Sequence, residues 1–179
     1  MDTAALVYYR EAFFAGQWWL PFTAQVAHFN APHALANLAA ALLLFFLFRP
    51  FLRWQQQALA LSGGIWGVAL IVVLDVHCRY YAGASGALYG WAAGGALALL
   101  LLRETRTKRQ ATVLAMLLLL GVASKGLSVV ISPTAATAWG FPIYVPAHWA
   151  GCIAGAAAAF LGHWLTTRVA PKCCNGQKG

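Results

Sequence analysis

Four polar side chains in this 179-residue sequence have the types needed to break an amide bond. Ser85 lies in Gly83-Ala84-Ser85-Gly86. A serine hydroxyl attacks only when a base removes its proton. His148 is a base of the right type, since histidine ordinarily titrates near pH 6.5. His33 and Asn37 are four residues apart, so on a helix they share a face. Both can donate hydrogen bonds to a developing oxyanion. Gly83 and Gly86 let backbone and substrate come close to Ser85 and allow a sharp turn into a helix. The only carboxylate near this set is Asp75, so a Ser–His dyad is the simpler reading than a triad. No metal-ligand spacing occurs, and the chemistry needs no metal and no cofactor.

Each residue also has a plainer reading. A single serine at the start of a membrane span is usually a cap or a polar tie between helices. A single histidine near an interface is usually structural, and His33 with Asn37 makes a reasonable interhelical pair. Only an architecture that brings all four together favours chemistry.

That architecture must be a membrane one. The chain is 61% hydrophobic and 9% charged, against about 25% charged in ordinary soluble domains. Lys+Arg is 12 and Asp+Glu is 4, for a formal net charge of +8. This composition excludes a cytosolic domain, a disordered tail and a collagenous repeat. It also argues against a nucleic-acid partner, because most of the chain cannot face water. A helical span needs roughly 20 mainly apolar residues. Five stretches qualify, at about 31–48, 58–75, 85–102, 111–131 and 147–166. None alternates with period two, so helices are expected rather than barrel strands. The expected fold is an all-α polytopic bundle with five visible spans. Residues 1–30 read as an interfacial segment, 31–166 as the membrane domain and 167–179 as a short tail. Paired Trp18-Trp19 and Pro21 suit the membrane–water boundary.

Nine of the twelve basic residues fall on one side: Arg49, Arg53, Arg103, Arg106, Lys108, Arg109, Arg168, Lys172 and Lys178. The positive-inside rule puts that side, and the C-terminus, in the cytoplasm. The amino end is then outside without a signal peptide, which leads one to expect a further span before residue 1 or an unusual amino end. Cys78, Cys152, Cys173 and Cys174 form neither a disulfide framework nor a zinc site. Cys173-Cys174 reads as an inert tail, with acylation the alternative. By helical rise, Lys125 and Asp75 lie about 20 and 25 Å into their spans, so either an ion pair or a snorkelling Lys125 is expected.

The first, third and fifth spans run in the same direction. Their first turns hold His33 and Asn37, then Ser85, then His148, all within roughly 10 Å of one face. Polar side chains in a membrane face the protein interior or a water-filled cavity, so these should converge. Gly86, Gly90 and Gly94 repeat every fourth residue, as do Gly151 and Gly155. Such small-residue faces allow close helix packing.

These residues resemble the rhomboid family of intramembrane serine proteases. His28-Phe29-Asn30-Ala31-Pro32-His33-Ala34-Leu35-Ala36-Asn37 is similar to the family's H-x(4)-H-x(3)-N segment. Gly83-Ala84-Ser85-Gly86, with Tyr89, is similar to its G-x-S-G motif. Ala147-His148-Trp149-Ala150-Gly151-Cys152-Ile153-Ala154-Gly155 is similar to its A-H-x-x-G-x-x-x-G span. The resemblance covers about residues 16–165. It implies Ser85 as nucleophile and His148 as general base and acid. His33, Asn37 and the Ser85 N–H would form the oxyanion hole. Tyr89 would stack on His148, and His28 would be a structural or oxyanion-region residue. It also implies a span ahead of the interfacial segment, which these residues do not contain. Ala15-Gly16-Gln17-Trp18-Trp19 and Ala123-Ser124-Lys125 are similar to the rhombosortase subgroup, implied to cut C-terminal Gly-Gly-type sorting segments.

The expected function is therefore cleavage of transmembrane-segment substrates near the outer face of a bilayer, in a bacterial inner membrane. A rhomboid-like pseudoprotease that binds transmembrane helices without cutting them is the alternative. A channel fits poorly, since the inner halves of the odd-numbered spans carry almost no polar residues.

Overall fold

The computed structural model describes residues 3–102, 107–131 and 140–169. Among the described residues, seven α-helices follow one another: α1 (Arg10–Phe14), α2 (Leu20–Thr23), α3 (Ala31–Phe48), α4 (Trp54–Leu74), α5 (Ser85–Leu100), α6 (Lys108–Ile131) and α7 (Val145–Val169). The five stretches expected as spans are the five long helices, α3 to α7. Of these, α3, α4 and residues Val145–Arg168 of α7 are long and apolar enough to cross a membrane, and α5 is apolar but only 16 residues long. The mostly helical architecture is that of a helical membrane bundle.

Local chemistry sets the helix starts. Asn30 is extended, and its side chain accepts from the His33 N–H at 2.9 Å, capping α3. This satisfies one of the donors a helix start leaves free. Pro32 follows in the first turn, where its missing N–H costs nothing.

The helix at the centre is α5. Twelve of its sixteen residues are buried, against four of eighteen in α3. A helix apolar on every side belongs in the interior. α5 lies against α4 and α7 at backbone distance. A Cβ at Gly90 would run into Gly64 and the Gly151 carbonyl, and one at Gly155 into the Gly90 carbonyl. At the other edge of the bundle, Phe48 from the end of α3 is fully buried over Gly95 and Trp91. α3 otherwise turns Leu35, Leu38, Leu42, Leu43, Phe45 and Phe46 outward.

One element has no counterpart in the sequence reading. Strands β1 (Tyr8–Tyr9) and β2 (Tyr80–Tyr81) pair antiparallel, with Tyr8 opposite Tyr81. Two-residue strands are too short to leave an alternating pattern. They tie the amino-terminal segment to the chain just before α5. Tyr8, Leu20 and Ala24 pack there against Val68, Val72, Cys78, Tyr81 and Ala147. Cys78 and Cys152 are buried free thiols, and burial pushes the Cys78 thiol up to about 11. The expectations for Arg103, Arg106, Lys172, Lys178, Cys173 and Cys174, and for the Lys125 side chain, lie outside the described residues.

Candidate functional site

Ser85 is the first residue of α5, and His148 lies in the first turn of α7. The chain reaches Ser85 through Gly83, whose φ is +130°. Side chains other than glycine's are strained there. A Cβ at Gly83 would also meet His33 Cε1 at 2.7 Å. The turn is held on two sides. The Gly83 N–H donates to the Ala24 carbonyl at 2.9 Å, and the Tyr81 hydroxyl donates to the Gly83 carbonyl at 2.9 Å.

Close packing then brings α7 to Ser85. A Cβ at Gly151 would overlap the Gly86 carbonyl, and one at Gly86 would meet Val68 Cγ2 at 2.6 Å and the Ala147 carbonyl at 3.0 Å. With hydrogens at both positions, Ser85 Oγ lies 2.8 Å from His148 Nε2. That separation is typical of a good hydrogen bond. Tyr89, one turn along α5, stacks on the His148 ring with centroids 4.6 Å apart and planes at 20°.

α3 supplies the opposite wall. His33 and Asn37 are both buried. Asn37 Nδ2 lies 2.9 Å from His28 Nε2, and the His28 and His33 rings meet edge to face at 5.0 Å. Ser85, His148, His33, Asn37 and Tyr89 all line one cavity of about 160 Å³, together with Phe141 and Tyr144 from the segment before α7. A second cavity of about 270 Å³ shares Asn37, Ser85 and Tyr89. It continues between α3 and α6 along Leu43, Leu44, Leu117 and Leu118.

His28 has a consequence for pH. Burial lowers its pKa, opposed by a hydrogen bond to the Val26 backbone. With a proton on Nδ1 for Val26, its Nε2 is free to accept from Asn37. A histidine with a lowered folded pKa stabilises the fold while neutral. That contribution is complete above the unfolded value near 6.5 and is lost as pH falls from there through the folded value. The melting temperature is expected to drop between pH 7 and pH 5, and His28→Gln, which keeps an acceptor, to flatten that slope. Thermal unfolding in detergent across this range is the check.

The sequence reading put Asp75 within a span, with either an ion pair to Lys125 or a snorkelling Lys125; the Lys125 side chain lies outside the described residues. Asp75 stands just past the end of α4. Its carboxylate accepts from the Tyr144 hydroxyl at 2.5 Å and from the His77 N–H at 2.9 Å. These two bonds hold its carboxyl below the usual range, with Tyr144 the larger cause. Burial first, and this same bond second, push the Tyr144 hydroxyl well up. Sequence reasoning missed Tyr144, Tyr81 and Phe141. The one available hint was that Tyr144 precedes His148 by a single helical turn.

A serine and a histidine in hydrogen-bond contact, in a cavity at one end of an apolar helical bundle, define a membrane protein with a buried polar site. The particular family follows from comparison. The Rhomboid domain model matches residues 15–165. The chain belongs to the rhomboid family, whose members are generally intramembrane serine proteases. Comparison with curated proteins and with solved structures finds no match.

Proposed function

We propose that this protein is an intramembrane serine endopeptidase with a Ser85–His148 dyad. The observation that carries the reading is the 2.8 Å contact between Ser85 Oγ and His148 Nε2 inside the cavity. Ser85 Oγ attacks the scissile carbonyl and its proton passes to His148 Nε2. His33, Asn37 and the Ser85 N–H donate to the oxyanion. Asn37 Nδ2 carries two hydrogens, so it can face His28 with one and the oxyanion with the other. His148 then protonates the leaving amine. Water, giving a proton to His148, hydrolyses the acyl-enzyme and releases Ser85. Tyr89 keeps the imidazole plane in place.

The substrate class is a transmembrane segment of a single-span or C-terminally anchored protein. A 16-residue helix rises about 24 Å, less than the hydrocarbon core of about 30 Å. Ser85, at its first turn, therefore lies below one membrane surface when the other end reaches the opposite one. The apolar cavity between α3 and α6 suits a helix arriving from lipid, and the cavity that holds Ser85, His148, His33 and Asn37 suits the unwound peptide. Within this class, exported proteins with a C-terminal Gly-Gly-type sorting segment are the first to try, on the resemblance to rhombosortases. The setting is a bacterial inner membrane with the C-terminus cytoplasmic, supported by the basic residues on one side.

Labelling with a fluorophosphonate tests the reading. The wild-type protein is expected to be modified on Ser85, and His148→Ala to lose the modification. Folded wild-type protein that binds transmembrane helices but is never labelled would instead make it a pseudoprotease.

A further inference from the structure

We infer that Asp75 is a positioning residue that, through Tyr144, holds the start of α7 and so places His148 against Ser85. The inference rests on the dyad proposed above. Tyr144 immediately precedes α7, and its carbonyl accepts from the Ala147 N–H at 3.3 Å. Its hydroxyl donates to Asp75 Oδ2 at 2.5 Å. Asp75 is itself fixed at both ends. The His77 N–H donates to Oδ1 at 2.9 Å, and the Arg10 guanidinium donates to the Val73 and Asp75 carbonyls at 3.0 and 3.1 Å. The backbone of Asp75 is thus held at the end of α4 by Arg10 of α1, its carboxylate is oriented by the His77 N–H, and Tyr144 links that carboxylate to α7.

The same network reaches the start of α5. The Tyr144 ring meets the Tyr81 ring at 6.2 Å and 74°. The Tyr81 hydroxyl holds the Gly83 carbonyl, two residues before Ser85. The starts of the two helices that carry nucleophile and base are therefore tied to one another outside the dyad. The physical need is clear. His148 lies about 6 Å along the helix from Tyr144, so a shift at Tyr144 moves the imidazole by a comparable amount. A misplacement of 1 Å costs on the order of 10²-fold in rate. Hydrogen bonds to a charged acceptor are about twice as strong as neutral ones. An asparagine whose oxygen accepts from the His77 N–H turns an uncharged NH2 to Tyr144, so the Tyr144 hydroxyl loses its charged acceptor.

The test uses the full chain in detergent. The maximal rate of fluorophosphonate modification of Ser85, and the reagent concentration giving half that rate, are measured for four proteins: wild type, Tyr144→Phe, Asp75→Asn and the double variant. Rates are expressed per folded molecule. Tyr144→Phe keeps the ring against Tyr81 and loses only the hydroxyl, so it is the variant least disturbing to the fold. Each single variant is expected to lower the maximal rate roughly tenfold or more, with the half-saturating concentration unchanged. The double variant should be no slower than the slower single one, because both act through one bond. Maximal rates within twofold of wild type overturn the inference, as do losses that multiply in the double variant. A wild-type protein that is not labelled at Ser85 overturns both the dyad and this inference. A labelled wild type with an unchanged rate in Tyr144→Phe overturns this inference alone.

Discussion

Ser85→Ala is expected to abolish cleavage of a transmembrane substrate, lowering turnover on the order of 10⁴-fold or more. Removing the nucleophile of a soluble serine protease costs roughly 10⁶-fold in turnover. The residual rate there comes from the oxyanion hole and from binding, and on the proposed reading this variant keeps both. The substitution removes one oxygen, and α5 has no other reason to change. Its twelve buried residues and its glycine contacts with α4 and α7 are independent of the hydroxyl. Stability should therefore be close to wild type, and the loss should be chemical. Co-expression with single-span proteins carrying small residues in their apolar segment, comparing wild type with Ser85→Ala, is the measurement. Equal amounts of cleaved product from both would end the proposal of a Ser85 nucleophile.

Gly151→Ala is expected to destabilise the protein by about 3 kcal/mol or more, the upper end of overpacking costs. It should remove labelling of Ser85 as well. The added methyl would overlap the Gly86 carbonyl, which is backbone and has no rotamer by which to give way. The two helices must move apart, and the 2.8 Å contact of Ser85 with His148 is made across that seam. Gly121→Ala is the control, since a Cβ at Gly121 in α6 meets nothing within 4 Å. Thermal unfolding in detergent should show the first variant far below wild type and the second unchanged or slightly raised. A Gly151→Ala protein that melts with the wild type and is labelled as fast would show that α5 and α7 do not need this approach.

Much of the bundle was legible because a bilayer leaves few choices. Backbone groups in lipid must be bonded within the segment, so a long apolar stretch becomes a helix. All five expected stretches are helices, and α3 begins and ends where expected. The small-residue faces were legible too: glycine is costly in a helix unless something comes close, and at Gly86, Gly90, Gly151 and Gly155 another helix does.

What stayed hidden has a physical cause in each case. Lipid tails are as apolar as leucine side chains, so hydropathy could not tell the buried α5 from the outward-facing α3. The Asp75–Tyr144 bond joins residues 69 apart in sequence, and no periodicity encodes such a pairing. The β1–β2 bridge is too short to leave a pattern. The segment from Phe141 to Tyr144 that walls the cavity has no regular spacing to read.

The sequence by itself therefore determined the class of the molecule, the helices that build it and the ends at which its few polar residues sit. Those follow from local rules: the length of an apolar stretch, helical rise, and residues at one-turn spacing. Only the tertiary structure decided that Ser85 Oγ and His148 Nε2 stand 2.8 Å apart, that His28 faces Asn37, and that Asp75 ends at Tyr144. Each of these contacts depends on how far one helix stands from another. That distance is set by side chains and glycine hydrogens meeting across the seam: the glycine repeats record that a neighbour comes close, but not which helix it is or in what register.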